Sequence, residues 1–242
     1  MSPDQHSGTI VVFGAGGRAG RAILDEALRR KHHVTAVVRN PDRHRGLAAR
    51  GAGVTVVAGD LTDSASVASV STHLSPRRVT AVVNAVTPFS APPESFADFD
   101  PDYYVHAVEN LIRAVPFTQC RVIEIGLSAT LRTTEGRLFE NPTAFPNHLR
   151  PFAEARLRGL RAWQNQATDV DWLVLTPPPA LSPQAPSTGC YHLADDRLDP
   201  TAATTPLSYP DLAVAVLDQI DTPTAHHRQV TAYGLPRSAP IP

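Results

Sequence analysis

The sequence predicts an α/β fold built on a doubly wound parallel sheet, with a small C-terminal part added to it. Three observations carry this. The strand-like segments are short, apolar and rich in β-branched residues rather than alternating, as strands buried on both faces are. They alternate with helical segments from Thr9 through Ile125. The first strand runs into a glycine cluster that opens a helix. The chain of 242 residues suits one large domain with a sizeable core, and we expect a single domain over 1–242.

Thr9 to Phe13 is the first strand. Arg18 to Lys31 has helix periodicity, with Ala22, Ile23, Ala27 and Leu28 on one face. His33 to Val38 is the second strand. Pro41 suits a first helical turn, so Asp42 to Arg50 reads as helical until Gly51 and Gly53 break it. Val54 to Ala58 is the third strand, Ser64 to His73 a helix, and Val79 to Ala85 the fourth strand. The proline-rich stretch Pro88 to Pro101 reads as irregular. Tyr103 to Val115 is a helix with Val105, Val108, Leu111 and Ile112 on its apolar face.

Arg121 to Ile125 is the fifth strand, and Leu131 to Leu149, without a clear period, reads as loop. Pro151 to Gln166 is helical and Val170 to Thr176 is the sixth strand. The pattern then changes. Thr188 to Leu193 resembles a piece of hairpin, Tyr209 to Ile220 a helix, and Arg228 to Tyr233 a last strand; Pro236 to Pro242 reads as a frayed tail.

The first junction is a phosphate-binding device. In Gly14-x-x-Gly17-x-x-Gly20, with Gly16 as an extra, Gly14 suits the turn, Gly17 leaves room for a pyrophosphate, and Gly20 allows close helix–strand packing. The helix start at Arg18 and Ala19 offers unpaired N–H groups and a positive dipole end. A glycine motif set between a strand and a helix near the N-terminus indicates a dinucleotide. Ligands of such sheets lie at the carboxyl ends of the strands. That places Asp60 and Leu61 near the adenine, and Asn84, Ala85 and Val86 near the nicotinamide ribose, although Asp60 in Gly-Asp-Leu-Thr-Asp reads equally as a turn or cap.

The end of the second strand selects between cofactors. An acidic residue there holds the ribose hydroxyls of NAD, whereas an arginine suits the extra phosphate of NADP. The residue is Arg39, followed by Arg43, and Arg18 can add a second guanidinium. NADP(H) is therefore the expected cofactor. Composition competes with this reading, because all 22 basic residues except Lys31 are arginine.

Composition also narrows the partners. Net charge is −1 with no basic stripe, so no nucleic acid is expected. The two cysteines, Cys120 and Cys190, lack metal spacing and suit a reducing compartment. The start Met-Ser-Pro-Asp-Gln-His-Ser-Gly lacks a signal pattern, and no apolar run approaches the about 18 residues that span a membrane. A cytoplasmic protein acting on a small molecule, free of membranes, is expected, with a homodimer left open.

The glycine motif, Val37-Val38-Arg39-Asn40-Pro41, Gly59-Asp60-Leu61 and Ser128 after the fifth strand together resemble the short-chain dehydrogenases/reductases, and more closely their atypical, NmrA-like NAD(P)H-binding branch. Asp171-Trp172-Leu173, Thr188-Gly189-x-Tyr191 and Leu207-Ser208-Tyr209-x-Asp211-Leu212-Ala213 extend the resemblance, which covers roughly residues 9 to 233. It implies a Rossmann-type fold, with the cofactor mainly on residues 9–130 and the substrate mainly on 131–235.

The resemblance also implies a tyrosine with a lysine four residues later as the proton relay. The matching helix reads Phe152-Ala-Glu-Ala-Arg156, so that relay is missing: Phe152 has no proton and Arg156 stays charged. Ser128, where the superfamily polarises a carbonyl, and His148, able to act as an acid near neutral pH, are the catalytic candidates. A turn cap and a solvated loop are their plain alternatives. Thr87, Tyr103, Phe152, Pro178 and Tyr191 are the expected substrate-pocket residues.

The sequence therefore predicts an NADPH-dependent reductase of a small carbonyl, quinone or enone. A redox-neutral isomerase, lyase or cyclase, or a non-catalytic NADP sensor, would also lack the relay. An open pocket lined by Ser128 and His148 would favour an enzyme. A pocket filled by Phe152 and its neighbours would favour the sensor.

Overall fold

The computed structural model describes residues 8–72, 74, 78–89, 91–96, 98–114, 120–166 and 169–235. The predicted helix end at His73, that at Val115, and the tail Pro236–Pro242 lie outside the described residues. So do Met1–Ser7 of the N-terminal segment read for a signal.

The described strands include β1 (Thr9–Phe13), β2 (His33–Val38), β3 (Val54–Ala58), β4 (Val79–Asn84) and β5 (Arg121–Ile125). Two short strands follow, β6 (Arg132–Thr133) and β7 (Gly136–Arg137), then β8 (Trp172–Thr176), β9 (Leu181–Ser182), β10 (Tyr191–Ala194), β11 (Leu207–Ser208) and β12 (Arg228–Gly234). The helices are α1 (Arg18–Arg29), α2 (Ser64–Thr72), α3 (Tyr103–Arg113), α4 (Arg150–Gln166) and α5 (Tyr209–Asp221).

Eight strands form one sheet in the order β10-β12-β8-β5-β4-β1-β2-β3. Every pairing is parallel except that of β10 with β12. The order reverses between β1 and β4, and both β2 and β4 pair with β1, so the crevice of a doubly wound sheet opens there.

The core explains the continuous apolar strands. Val11 and Phe13 of β1 face the layer formed by α2, α3 and α4, where Val108, Leu111, Leu160 and Trp163 are buried. Ile10 and Val12 face the opposite layer, with Ile23, Leu24 and Ala27 of α1 and Leu212, Val216 and Leu217 of α5. Alternate residues therefore enter different cores and both must be apolar. A third cluster joins Phe96, Tyr104, Phe152 and Ala155 with Phe89, Phe99 and Tyr103.

Three segments differ from expectation. Asp42–Arg50 lies within a 3-10 stretch, Pro41–Arg50, interrupted at His44 (φ −129°, ψ 28°). Leu131–Leu149 holds the small β6–β7 hairpin and 3-10 turns whose elements are too short to show a period. The predicted hairpin piece at Thr188–Leu193 supplies β10, which pairs with the distant β12, Tyr191 opposite Gly234. The C-terminal segments thus extend the main sheet. No helix among the described residues is long and apolar enough to cross a membrane.

Candidate functional site

The glycine turn is held by its backbone. Gly14 and Ala15 donate to the Val37 carbonyl at 3.1 and 3.3 Å, and Gly17 donates to the Gly14 carbonyl at 3.0 Å. Gly14 has φ +77°, and a Cβ there would lie 2.6 Å from the Ala85 carbonyl oxygen. A Cβ on Gly20 would lie 2.2 Å from the Gly14 carbonyl oxygen. Only glycine satisfies both positions. Gly17 caps α1 without a side-chain hydrogen bond, which leaves the helix N–H groups without a side-chain acceptor. The turn therefore fits a dinucleotide pyrophosphate.

The turn forms one end of a cleft of about 1610 Å³. Gly14, Gly16, Gly17, Arg18, Ala19, Arg39, Arg43, Asp60, Leu61, Ala85 and Val86 all line it. Gly20 is buried under the turn, where it permits the packing. Arg39 is exposed and reaches the Pro88 carbonyl at 3.5 Å, and Asn40 Oδ1 accepts from the Arg43 N–H at 3.3 Å. The residues that follow β2, Arg39 and Asn40, carry no carboxylate. Asp60 Oδ1 accepts from the Thr62 N–H (2.9 Å) and hydroxyl (2.8 Å), so this cleft residue also shapes a turn.

Asn84 is not a lining residue. It is buried, its Oδ1 accepts from the Val86 N–H at 3.1 Å, and its Nδ2 donates to Glu124 at 3.2 Å. Glu124 also accepts from Trp163 Nε1 at 2.9 Å and from Arg156 Nη1 at 3.3 Å. Burial pushes the Glu124 carboxyl above its ordinary range, and Arg156 with the other donors pulls the opposite way. Arg156 Nη1 also donates to the Ile125 carbonyl at 3.0 Å, and its guanidinium lies 4.0 Å from the Tyr104 ring centroid.

The expected pocket residues divide. Thr87, Tyr103 and Phe152 line the cleft; Pro178 and Tyr191 do not. Tyr191 donates to Asp218 at 2.9 Å and packs against the α1–α5 core. Neither catalytic candidate lines the cleft. Ser128 starts a 3-10 turn after β5, half-buried, and His148 is exposed on another such turn before α4. Phe152 and Arg156, which stand where the resemblance implies the tyrosine and lysine, line the cleft one helical turn apart.

Several lining residues carry no signal in the sequence. The break at His44 lays its ring over the glycine turn, so that a Cβ on Gly16 would meet it at 2.4 Å. Its Nδ1 is buried and has no hydrogen-bond partner among the described residues. Phe89, Leu127, Pro177, Leu181 and Tyr209 add an apolar wall, and Ser187 and Gly189 form part of the rim. That rim hangs from the buried Asp211, which accepts from the N–H groups of Thr188 (3.0 Å) and Gly189 (2.7 Å) and from the Ser187 hydroxyl (2.9 Å). The Thr188-Gly189 and Ser208-Tyr209-x-Asp211 motifs are visible in the sequence, but not their contact.

Fold and cleft define a dinucleotide-binding protein of Rossmann type. The chain belongs to the NAD(P)H-binding family, whose model matches residues 14–223, in keeping with its resemblance to the atypical short-chain dehydrogenases/reductases. It is 27% identical over 231 residues to YwnB of Bacillus subtilis strain 168, an uncharacterized protein, covering 92% of this chain and 96% of YwnB. Two solved structures share the fold. One, from Bacteroides thetaiotaomicron, is named as a candidate epimerase (TM-score 0.78, 23% identity, 96% of this chain and 100% of that one). The other, from Streptococcus pneumoniae TIGR4, is named as a candidate NADH-flavin reductase (TM-score 0.72, 22% identity, 94% and 99%).

Proposed function

We propose that the chain is an NADPH-dependent reductase of a small organic carbonyl, quinone or enone. The observation that carries this reading is the size and lining of the cleft. At about 1610 Å³ it exceeds the roughly 300–1,000 Å³ of a single-ligand pocket. Its glycine end suits a dinucleotide, and its apolar wall leaves space for a second molecule. The NADH-flavin reductase name of the Streptococcus pneumoniae structure supports a nicotinamide-dependent reductase, without bearing on NADPH or on the carbonyl, quinone or enone.

Gly14, Gly17 and the start of α1 would hold the pyrophosphate. Arg39, Arg43 and Arg18 favour the additional phosphate of NADP over NAD. Ala85, Val86 and Thr87 would border the nicotinamide end, and the bound cofactor supplies hydride there. Phe89, Tyr103 and Phe152 exclude water and orient an apolar substrate. Burial, and then Asp60, raise the Tyr103 hydroxyl above its ordinary range, so at neutral pH it remains a protonated donor facing the cleft.

The test incubates the purified protein with NADPH and NADH, measures both affinities, and follows reduced-nicotinamide absorbance with a panel of ketones, quinones and enones. Tighter binding of NADPH and turnover of at least one panel member are expected. Tight binding without any turnover overturns the reductase. It leaves the redox-neutral reading, which the epimerase name of the Bacteroides structure favours, and the NADP sensor, which the absence of Ser128 and His148 from the cleft and the presence of Phe152 in it favour.

A further inference from the structure

We infer that the hollow between the β6–β7 hairpin, α4 and Arg197 is a second binding site, for a small soluble oxyanion carrying two or more negative charges, such as a phosphate or pyrophosphate group. It goes beyond the reductase reading and does not depend on it.

The lining of the hollow is the first support. Half of its lining residues are arginine, namely Arg132, Arg137, Arg161 and Arg197, in a chain of net charge −1. Glu140 is the one acid among the described lining residues, and none of them lines the cleft. Guanidinium groups keep their protons at neutral pH, so a cluster of them is relieved by counter-charge rather than by titration.

The second support is the division between arginines that build the hollow and arginines left open. Arg132 Nη2 pairs with Asp196 at 2.5 Å, and Arg137 Nη1 donates to the Thr130 carbonyl at 2.6 Å. The hairpin is tied in place by its backbone. The Arg132 N–H donates to the Asp196 carbonyl and the Arg132 carbonyl accepts from the Leu198 N–H, both at 2.8 Å. The Glu140 carboxylate accepts from the Arg137 N–H at 2.7 Å. Arg161 of α4 and Arg197 differ. Both are exposed, and their side chains have no hydrogen-bond or ion-pair partner among the described residues. Their donors remain open to a ligand in the hollow that both line.

The local field has the sign this requires. Four arginines face two carboxylates, Glu140 and Asp196, and Asp196 is already held by Arg132. Burial holds the half-buried Arg137 guanidinium below the usual arginine range; Asp196 pulls it up, and Arg132 and Arg161 push it further down.

Size and lining select the ligand. At about 310 Å³ the hollow is at the lower limit of small-molecule pockets, roughly 300–1,000 Å³. Leu157 is its one large apolar lining residue among those described, so a compact charged group suits it better than an apolar body. Guanidinium forks match the paired oxygens of phosphates.

The test titrates inorganic pyrophosphate by calorimetry into the protein with and without saturating NADP. Sodium chloride at about 0.15 M screens loosely held ions. A site with Kd of about 0.1 mM that persists with NADP present is expected, with acetate at least tenfold weaker. Arg161→Gln combined with Arg197→Gln should weaken pyrophosphate tenfold or more. The melting temperature should stay unchanged, because neither side chain has a partner in the fold. Lysine at both positions should retain part of the affinity, since the charge remains. No binding up to about 10 mM overturns the inference, as does equal affinity for acetate. So does binding that NADP abolishes or that the double glutamine variant keeps, either of which places the probe elsewhere. Binding to phosphatidate vesicles but not to pyrophosphate would overturn a soluble ligand. None of these results bears on turnover of a carbonyl, quinone or enone, and absence of turnover leaves the oxyanion site standing.

Discussion

Gly14 and Gly20 shape the glycine turn of the cleft by lacking side chains, whereas Glu124 and Arg156 shape its wall, and Asp211 its rim, by what their side chains bind. At the glycine end the ligand would meet backbone N–H groups, exposed arginines and a helix terminus. The other part is backed by buried side chains held by partners in other strands and helices. The first construction is local in the chain and built mainly from backbone. The second depends on several elements docking correctly.

This contrast predicts that the second construction fails harder when one member is removed. Glu124→Gln leaves the buried Arg156 charge without its counter-ion, a loss of about 3–5 kcal/mol. A urea midpoint should report it, and Glu124→Gln combined with Arg156→Met should recover much of the loss. A single substitution costing no more than a surface change would show that Arg156 does not depend on Glu124.

Gly20→Ala should cost less, about 1–3 kcal/mol, because the added Cβ meets the backbone of Gly14 and Ala15 and forces α1 away from the turn. NADPH affinity should fall with it, and fluorescence titration beside thermal unfolding separates the two effects.

Asp211→Asn should cost about 1–3 kcal/mol and loosen the rim at Ser187–Gly189. Burial alone would raise the Asp211 carboxyl, but the Thr188 and Gly189 N–H groups and the hydroxyls outweigh it and hold the carboxyl below its ordinary range. Its folded value is therefore the lower one. The stability it contributes is fully present above the unfolded aspartate value, about 3.9, and is lost as pH falls through the folded value. In the Asp211→Asn variant that acid-side loss should shrink; an unchanged acid limb of the stability curve would count against the clasp.

The same contrast explains what is legible in the sequence. The turn, the helix after it and Arg39 lie within one strand–helix–strand unit, so spacing is enough to expect them at one site. Arg-Val-Ile-Glu-Ile reads as a strand with one stray acid, and nothing local relates Glu124 to Asn84, Arg156 or Trp163, which come from other elements. Ser128 and His148 stand out by their places after a strand and before a helix, but their 3-10 turns carry them outside the cleft lining. The β9–β11 pair is invisible because two-residue strands have no period, yet it sets Leu181 beside the cleft. His44 reaches Gly16 only because its own backbone leaves the helical region.

The smallest predicted effect falls at the exposed rim of the glycine end. Arg39 has no carboxylate partner among the described residues, and its hydrogen bond to the Pro88 carbonyl is at the 3.5 Å limit. Replacing it removes little from the fold, so Arg39→Asp should leave the melting temperature nearly unchanged. The introduced carboxylate would repel a 2′-phosphate and accept from ribose hydroxyls. NADPH should weaken roughly tenfold, about 1.4 kcal/mol, while NADH is unchanged or tightened. Equal weakening of both nucleotides would remove the 2′-phosphate from Arg39 and leave Arg18 and Arg43 to account for any preference. A loss for NADPH alone would show that the glycine end takes its cofactor choice from an exposed side chain that the fold does not need.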